Sequence, residues 1–138
     1  MILYVEGATT NGTSIIQFKK GAFTALRPVQ PIVLNYWSAG SVNAAQDVLG
    51  IANHLNVIGL ALFITLKVTE LPVFAPNEYF WKNHWKEGKE EKWEAFARAV
   101  REIMAEAGHY KLSDLTMQDK FDYIEKLKGK YKPKDKKE

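Results

Sequence analysis

The chain has 138 residues, of which 46% are hydrophobic and 25% charged, values typical of a single globular domain. It has no cysteine, which excludes a disulfide framework, thiolate catalysis and cysteine-based zinc sites. The net charge of the whole chain is +3. Residues 126–138 alone have a net charge of +5, so the remaining residues have a net charge of −2. Because the basic charge is confined to one end, a basic groove for nucleic acid is not expected, and nucleic acid is not a predicted partner.

The first part of the chain predicts short strands on either side of a polar loop. An apolar run predicts a strand over residues 2–5, and the loop follows over residues 6–13. Residues 14–18 predict a brief extended segment, and residues 21–26 predict a short helical turn. A proline followed by β-branched residues predicts another strand over residues 28–36.

The middle of the chain predicts two helices separated by a strand. Apolar residues at three- and four-residue spacing predict a mainly helical segment over residues 41–62. Apolar and polar residues alternate at the start of residues 66–74, which favours a strand, and residues 77–86 predict an aromatic-rich connection. The strongest amphipathic pattern predicts a helix over residues 90–107, and we expect Gly108 to end it.

The last part predicts one more helix, over residues 117–128, before the basic end. Because strands alternate with helices, the fold class is predicted to be α/β, a partial domain with a mixed sheet and flanking helices. We expect a domain over residues 1–108, a helical extension over 109–129 and a basic disordered tail over 130–138. An anionic membrane surface is the alternative interpretation of the lysine cluster.

The first loop gathers groups suited to a phosphorylated, hydroxyl-bearing small molecule. Glycines let backbone amides approach an anion, and carboxylate, hydroxyl, amide and ammonium groups stand close by. The Gly-Lys-Ser/Thr ending of a Walker loop is missing, and a purely structural loop remains the alternative. The predicted substrate-binding residues are Glu6, Gly7, Thr9, Thr10, Asn11 and Lys19.

Three blocks of sequence occur in the order of a known family: residues 6–12 (EGATTNG), 18–23 (FKKGAF) and 28–34 (PVQPIVL). Together they resemble the glycerolipid (1-acylglycerol-3-phosphate) acyltransferase superfamily, and most of all its lysophosphatidylcholine acyltransferase branch. Two later segments support the likeness, which covers about residues 2–120. The resemblance implies an acyltransferase-type α/β domain.

The resemblance also implies an activity and a set of partners. In the family, a fatty acyl group moves from acyl-CoA to the hydroxyl of a lysophospholipid or glycerolipid, at a membrane surface and without metal or bound cofactor. It implies a location at the cytosolic face of the endoplasmic reticulum. Glu6 and Gly7 match the family's acceptor-binding block, Thr10 and Asn11 fit the branch-specific extension, and Ala8 replaces the usual threonine.

The family's catalytic pair is absent from its expected place. The family uses a histidine as general base, with an aspartate after four intervening residues to orient it, and this pair precedes the Glu-Gly block. Only five residues precede Glu6, and none is His or Asp. We therefore expect the C-terminal part of such a domain, inactive on its own. His109 and Asp114 have the pair's spacing but follow the long helix, so we predict that neither is catalytic and that Asp114 belongs to a helix-capping turn.

Several interpretations remain open from the sequence. The chain could be a non-catalytic lipid- or membrane-associated module derived from the same domain, or a plain soluble binding domain of decayed ancestry. The apolar run over residues 57–66 is either buried or in contact with a membrane. The aromatic cluster over residues 79–85 is either a satellite core or an interfacial belt that includes His84. His54 is predicted to be a half-buried packing residue.

Overall fold

Strands and helices alternate along the chain in a computed structural model, which describes residues 1–8, 10, 12–39, 50–61 and 63–129. The elements, in chain order, are β1 (Ser14–Ile15), a 3-10 helix (Lys20–Ala22), β2 (Ile32–Ser38), α1 (Ile51–Gly59), β3 (Ile64–Glu70), α2 (Glu78–His84), α3 (Lys92–Gly108), β4 (Lys111–Leu112) and α4 (Met117–Leu127). The predicted α/β class agrees with this order. The pairings are divided between two small sheets in the described residues, one parallel and one antiparallel, where one mixed sheet was expected.

The antiparallel sheet is a hairpin of β2 and β3 whose register runs from Ile32 opposite Glu70 to Ser38 opposite Ile64. An isolated bridge between Val29 and Phe74 extends the pairing beyond the strands, with N···O distances of 3.0 and 2.8 Å. Both strands lie closer to their connection than predicted, because prolines at 28, 31 and 72 cannot donate hydrogen bonds to the ladder. Both strands are therefore shifted, relative to the prediction, towards the segment that connects them.

The parallel sheet joins two segments that are far apart in the chain. Ser14 of β1 lies opposite Lys111 of β4, and Ile15 lies opposite Leu112. The pairing continues beyond the strands, since the amide of Gln17 donates to the carbonyl of Leu115 at 2.9 Å. Residues 14–17, directly after the polar loop, are thereby tied to the segment between α3 and α4.

Helix α3 carries the core, as its amphipathic pattern predicted. Its side chain at Phe96 is fully buried and meets the ring of Phe23 edge-on at 5.3 Å and the ring of Phe74 at 5.7 Å. A reciprocal capping box between Glu91 and Glu94 begins the helix. The core cluster consists of Ile15, Phe18, Phe23, Phe80, Phe96, Ala97, Val100 and Ala105.

The end of α3 differs from the prediction. Gly108 is the last helical residue, and His109 takes the left-handed conformation that ends the helix, with φ of 56°. Gly108 is needed for another reason: a Cβ atom there would overlap the Tyr110 ring and come within 2.9 Å of Val33 Cγ1. The glycine lets the helix end pack closely against β2.

Three further predictions need correction or qualification. Residues 2–4 form no strand, because within the described residues their backbone has no strand partner. Residues 78–84 form α2 instead of an irregular connection, since the Asn77 side chain accepts a hydrogen bond from the Phe80 amide at 2.8 Å. The helix predicted over residues 41–62 is present as α1 at 51–59; residues 40–49 and 62 lie outside the described part of the chain.

The predicted final helix is present as α4, but its cap is different. Thr116 and Asp119 form the capping box, whereas the prediction assigned the capping turn to Asp114. The domain boundary at residue 108 stays a prediction, and the tail over residues 130–138 lies outside the described part. Among the described residues, no helix is both long enough and apolar enough to cross a bilayer.

Candidate functional site

The polar loop is closed at its base by backbone hydrogen bonds. The Lys19 amide donates to the Val5 carbonyl at 2.8 Å, and the Gly7 amide donates to the Tyr4 carbonyl at 3.2 Å. Gly7 and Gly12 have φ values of 70° and 76°, a region that glycine adopts without a steric penalty.

Gly7 and Lys19 lie in direct contact. A Cβ atom on Gly7 would lie 2.8 Å from both Cδ and Cε of Lys19 and 3.1 Å from its Nζ atom. The lysine side chain therefore passes over the bare glycine backbone, and the residue remains exposed to solvent. This contact places a positive charge beside the first turn of the loop.

The Glu6 side chain connects the start of the loop to the segment that follows it. Its Oε1 atom accepts a hydrogen bond from the Ile16 amide at 2.9 Å. Burial raises the pKa of this carboxyl group above its usual value of 4.5, while the hydrogen bond from Ile16 and the charge of Arg101 act in the opposite direction. In this geometry Glu6 positions the loop against β1, and one of its oxygens is already engaged.

Arg101 of α3 links the loop region to the segment after β4. Its Nη2 atom donates to the carbonyl oxygens of Ile15, at 3.1 Å, and Ser113. Its Nε atom is buried and has no hydrogen-bond partner among the described residues. Arg101 thus ties β1 to the residue directly after β4 and contributes a positive charge near Glu6.

Tyr110, two residues after the end of α3, is a second residue whose charge environment includes Glu6. Its hydroxyl donates to the Leu34 carbonyl at 3.2 Å, and both burial and the nearby Glu6 carboxylate raise its pKa. The sequence analysis did not identify Arg101 or Tyr110. Nothing in the sequence marks them, since they reach the loop only through the packing of α3 and β4.

An open groove of about 270 Å³ lies next to the loop. It separates the segment after β1 from the start of α4, and its lining residues are Gln17, Phe18, Lys19, Thr116, Met117 and Gln118. Lys19 therefore contacts Gly7 and also lines the groove. An exposed ammonium beside a partly apolar groove is suited to an anionic, amphiphilic ligand.

The structure brings together three of the six predicted binding residues, Glu6, Gly7 and Lys19. Thr10 makes a local contact, since its Oγ1 atom accepts from the Gly12 amide at 3.4 Å. Thr9 and Asn11 lie outside the described residues. Binding of substrate by these six residues stays a prediction.

None of the three histidines forms a base–orienter pair in the described part of the chain. His109 is exposed at the end of α3, Asp114 is exposed five residues later, and no hydrogen bond or ion pair joins them. The His84 ring stacks on Phe80 at 5.4 Å, and His54 is half-buried on α1. The same residues contain no group of three or more histidines and carboxylates that could hold a metal ion.

The chain is similar to curated acyltransferases over most of its length. It is 34% identical over 129 residues to lysophospholipid acyltransferase LPEAT1 of Arabidopsis thaliana, covering 94% of this chain and 30% of that protein. It is 32% identical over 122 residues to lysophosphatidylcholine acyltransferase 1 of Homo sapiens, covering 86% and 21%. Lysophosphatidylcholine acyltransferase 2 of Homo sapiens is 32% identical over 127 residues, covering 86% and 20%.

This chain therefore spans less than a third of the length of these relatives. No family model matches the chain. No solved structure matches it either, so the acyltransferase-type fold rests on the sequence resemblance.

Proposed function

Because the chain is homologous to the lysophosphatidylcholine acyltransferase branch of the glycerolipid acyltransferases, we propose that it supplies the acceptor-binding part of a lysophospholipid acyltransferase. The observation that carries the proposal is the alignment with an Arabidopsis lysophospholipid acyltransferase over 94% of the chain. The reaction would form an ester between the acceptor hydroxyl oxygen and the acyl carbon of acyl-CoA. The thioester C–S bond breaks, and the CoA thiol leaves with the proton from the hydroxyl group.

The residues of the loop have distinct roles in this proposal. Lys19 attracts the acceptor phosphate, and Gly7 lets the backbone and the lysine side chain approach it closely. Glu6 positions the loop through its hydrogen bond from the Ile16 amide. The hydroxyl and amide groups of Thr9, Thr10 and Asn11 complete the predicted acceptor contacts.

We further propose that the 138-residue chain alone does not transfer acyl groups. Acyl transfer to a hydroxyl needs a general base that is oriented towards it. His54, His84 and His109 are the histidines of the chain, and none is hydrogen-bonded to a carboxylate in the described residues. Incubation of the purified chain with acyl-CoA and lysophosphatidylcholine should give no product above the rate without protein, and measurable turnover would contradict the proposal.

A chimera tests the acceptor-binding role directly. The aligned segment of the Arabidopsis relative would be replaced by the corresponding residues of this chain, and acyl transfer would be measured at varied acceptor concentrations. Lys19→Ala should raise KM for the lysophospholipid by roughly tenfold, because one charge-assisted hydrogen bond is lost. Lys20→Ala is the matched control, since Lys20 is also exposed but does not line the groove, and the atoms nearest to a Cβ on Gly7 belong to Lys19. Equal effects of the two substitutions would contradict the role of Lys19.

The proposed location follows from the substrate. A lysophospholipid acceptor partitions into membranes, so we place the protein at a membrane surface. The cytosolic face of the endoplasmic reticulum is the location that the family resemblance implies. A non-catalytic lipid-associated module derived from the same domain is the second candidate. Ala8, which replaces the family's usual threonine, favours this candidate, and an active chimera would count against it.

A further inference from the structure

One stretch of the chain is almost free of charge. The 39 residues between Arg27 and Lys67 contain a single charged residue, Asp47, although a quarter of the whole chain is charged. Asp47 lies outside the described residues. We call the described part of this stretch from β2 to β3, residues 32–39, 50–61 and 63–66, the uncharged lobe.

Among the described residues, one face of the hairpin is covered by α3 and the other is largely exposed. Residues directly opposite each other in an antiparallel pair point to the same face. Val33 points towards α3 and is 2% exposed, and the Asn35 side chain on the same face donates to the Gly108 carbonyl at 3.4 Å. The opposite face has eight side chains, of which six are apolar or aromatic and five of those six are exposed; Ser38 and, at the base of the hairpin, Glu70 complete it. The six are Ile32, Leu34, Tyr36, Ile64, Leu66 and Val68.

The far end of the lobe is more exposed still. The rings of Trp37 and Phe63 lie 6.0 Å apart, and each residue is 58% exposed. On α1, Ile51 is 71% exposed and Leu55 is 61% exposed. An apolar surface of this extent is characteristic of contact with another protein or a membrane.

The charge pattern distinguishes between these two occupants. Protein–protein interfaces normally have a polar rim, but the uncharged lobe contains no Asp, Glu, Lys or Arg. Tryptophan and tyrosine side chains favour the headgroup zone of a bilayer, where one end of the ring is apolar and the other wet. Beyond the lobe, β3 has two charged residues. Lys67 lies opposite Asn35, on the face that points towards α3, and Glu70 lies opposite Ile32, at the end of the exposed face farthest from Trp37 and Phe63.

We infer that the uncharged lobe is a docking surface for the interfacial zone of a zwitterionic phospholipid bilayer. Trp37 and Phe63 insert at its tip, and the exposed apolar face of the hairpin lies against the lipid. The inference deepens the proposed membrane association and rests on it. It requires no acyl transfer, so it can hold even if the proposed reaction fails.

Flotation of the full chain with pure phosphatidylcholine vesicles tests this inference. Binding should persist at about 0.5 M salt, because the attraction is apolar and salt screens only charges. Trp37→Ser and Phe63→Ser should each weaken partitioning by about tenfold, as expected for removing a large apolar side chain from lipid. Both residues are exposed, so the variants should retain the circular dichroism spectrum of the unaltered chain.

Tyr79→Ser provides the matched control, because Tyr79 is 72% exposed on α2, outside the lobe. It should leave vesicle binding unchanged. The inference is overturned if the chain does not float with phosphatidylcholine, if it floats only with anionic vesicles and salt releases it, or if Tyr79→Ser weakens binding as much as Trp37→Ser. A dimer that Trp37→Ser dissociates, found by sedimentation equilibrium without vesicle binding, would identify a second copy as the occupant instead.

Discussion

Gly7 and Gly108 both occupy positions where a Cβ atom would collide, but for different physical reasons. Gly7 combines a φ of 70° with the close approach of the Lys19 side chain, whose terminal atoms can move aside. Gly108 has ordinary helical geometry, but it faces the Tyr110 ring and Val33 in a packed interior that cannot move aside easily. The first glycine serves backbone conformation, and the second serves packing.

Alanine substitutions should separate these two roles. Gly7→Ala should lower the free energy of unfolding by about 1 kcal/mol, the usual cost of a left-handed residue with a side chain. Gly108→Ala should lower it by roughly 2–3 kcal/mol, because overpacking displaces the Tyr110 ring. Gly21→Ala is the control, since a Cβ there meets no atom within 4 Å and its φ is not positive, so it should cost nothing. Urea unfolding measures all three, and equal losses at Gly7 and Gly108 would contradict this account.

The carboxyl group of Glu6 should leave a signature in the pH dependence of stability. Because its pKa in the folded chain is raised above 4.5, the native state keeps the proton to a higher pH than the unfolded chain. Its contribution to the free energy of unfolding is therefore complete below about pH 4.5 and declines as the pH rises through the raised pKa. Glu6→Gln keeps an oxygen to accept the hydrogen bond from the Ile16 amide but cannot ionise, so its stability relative to the unaltered chain should increase as the pH rises above about 4.5. Urea unfolding at several pH values measures this, and a constant difference would contradict the raised pKa.

At the level of elements, the sequence predicts best where a pattern is local and long. The 17-residue helix α3 has a regular apolar stripe and a capping box, and its prediction is correct to within two residues. Helix α2 has seven residues, too few for a period to be visible, and only its Asn77 cap signals a helix start. The strand predicted over residues 2–5 fails because a strand needs a partner, which local sequence cannot specify.

The residues of the candidate site also differ in how far local sequence predicts them. Glu6 and Gly7 lie in the polar loop and Lys19 follows β1 shortly after it, so local sequence was sufficient to group the three. Arg101 and Tyr110 approach the loop from α3 and from the segment after it, roughly a hundred residues along the chain. Residues that meet only through tertiary packing have no mark in a single sequence, because an arginine on an amphipathic helix is ordinarily solvated.

At the scale of the whole molecule, the segment after α3 holds the polar loop in place through hydrogen bonds to the residues that follow the loop. Two hydrogen bonds extend the parallel sheet beyond its partner residues: the Ser113 amide donates to the Ile15 carbonyl at 3.0 Å, and the Gln17 amide donates to the Leu115 carbonyl at 2.9 Å. The Arg101 side chain also donates to the carbonyl oxygens of Ile15 in β1 and of Ser113, directly after β4. The loop is therefore positioned by residues beyond the predicted domain end at 108.

Two truncations test whether a domain ending at residue 108 can stand alone. The chain 1–129 keeps β4 and α4, so it should unfold at the same temperature as the full chain. The chain 1–108 loses β4 and the partners of Arg101, Ile15 and Gln17, and should lose roughly 3–5 kcal/mol from several hydrogen bonds and their packing. Because small domains have only about 5–15 kcal/mol of stability, this loss should abolish most of the cooperative transition in thermal unfolding followed by circular dichroism. If 1–108 unfolds cooperatively at the temperature of 1–129, the segment after α3 is a true extension and the support for the loop comes from α3 alone.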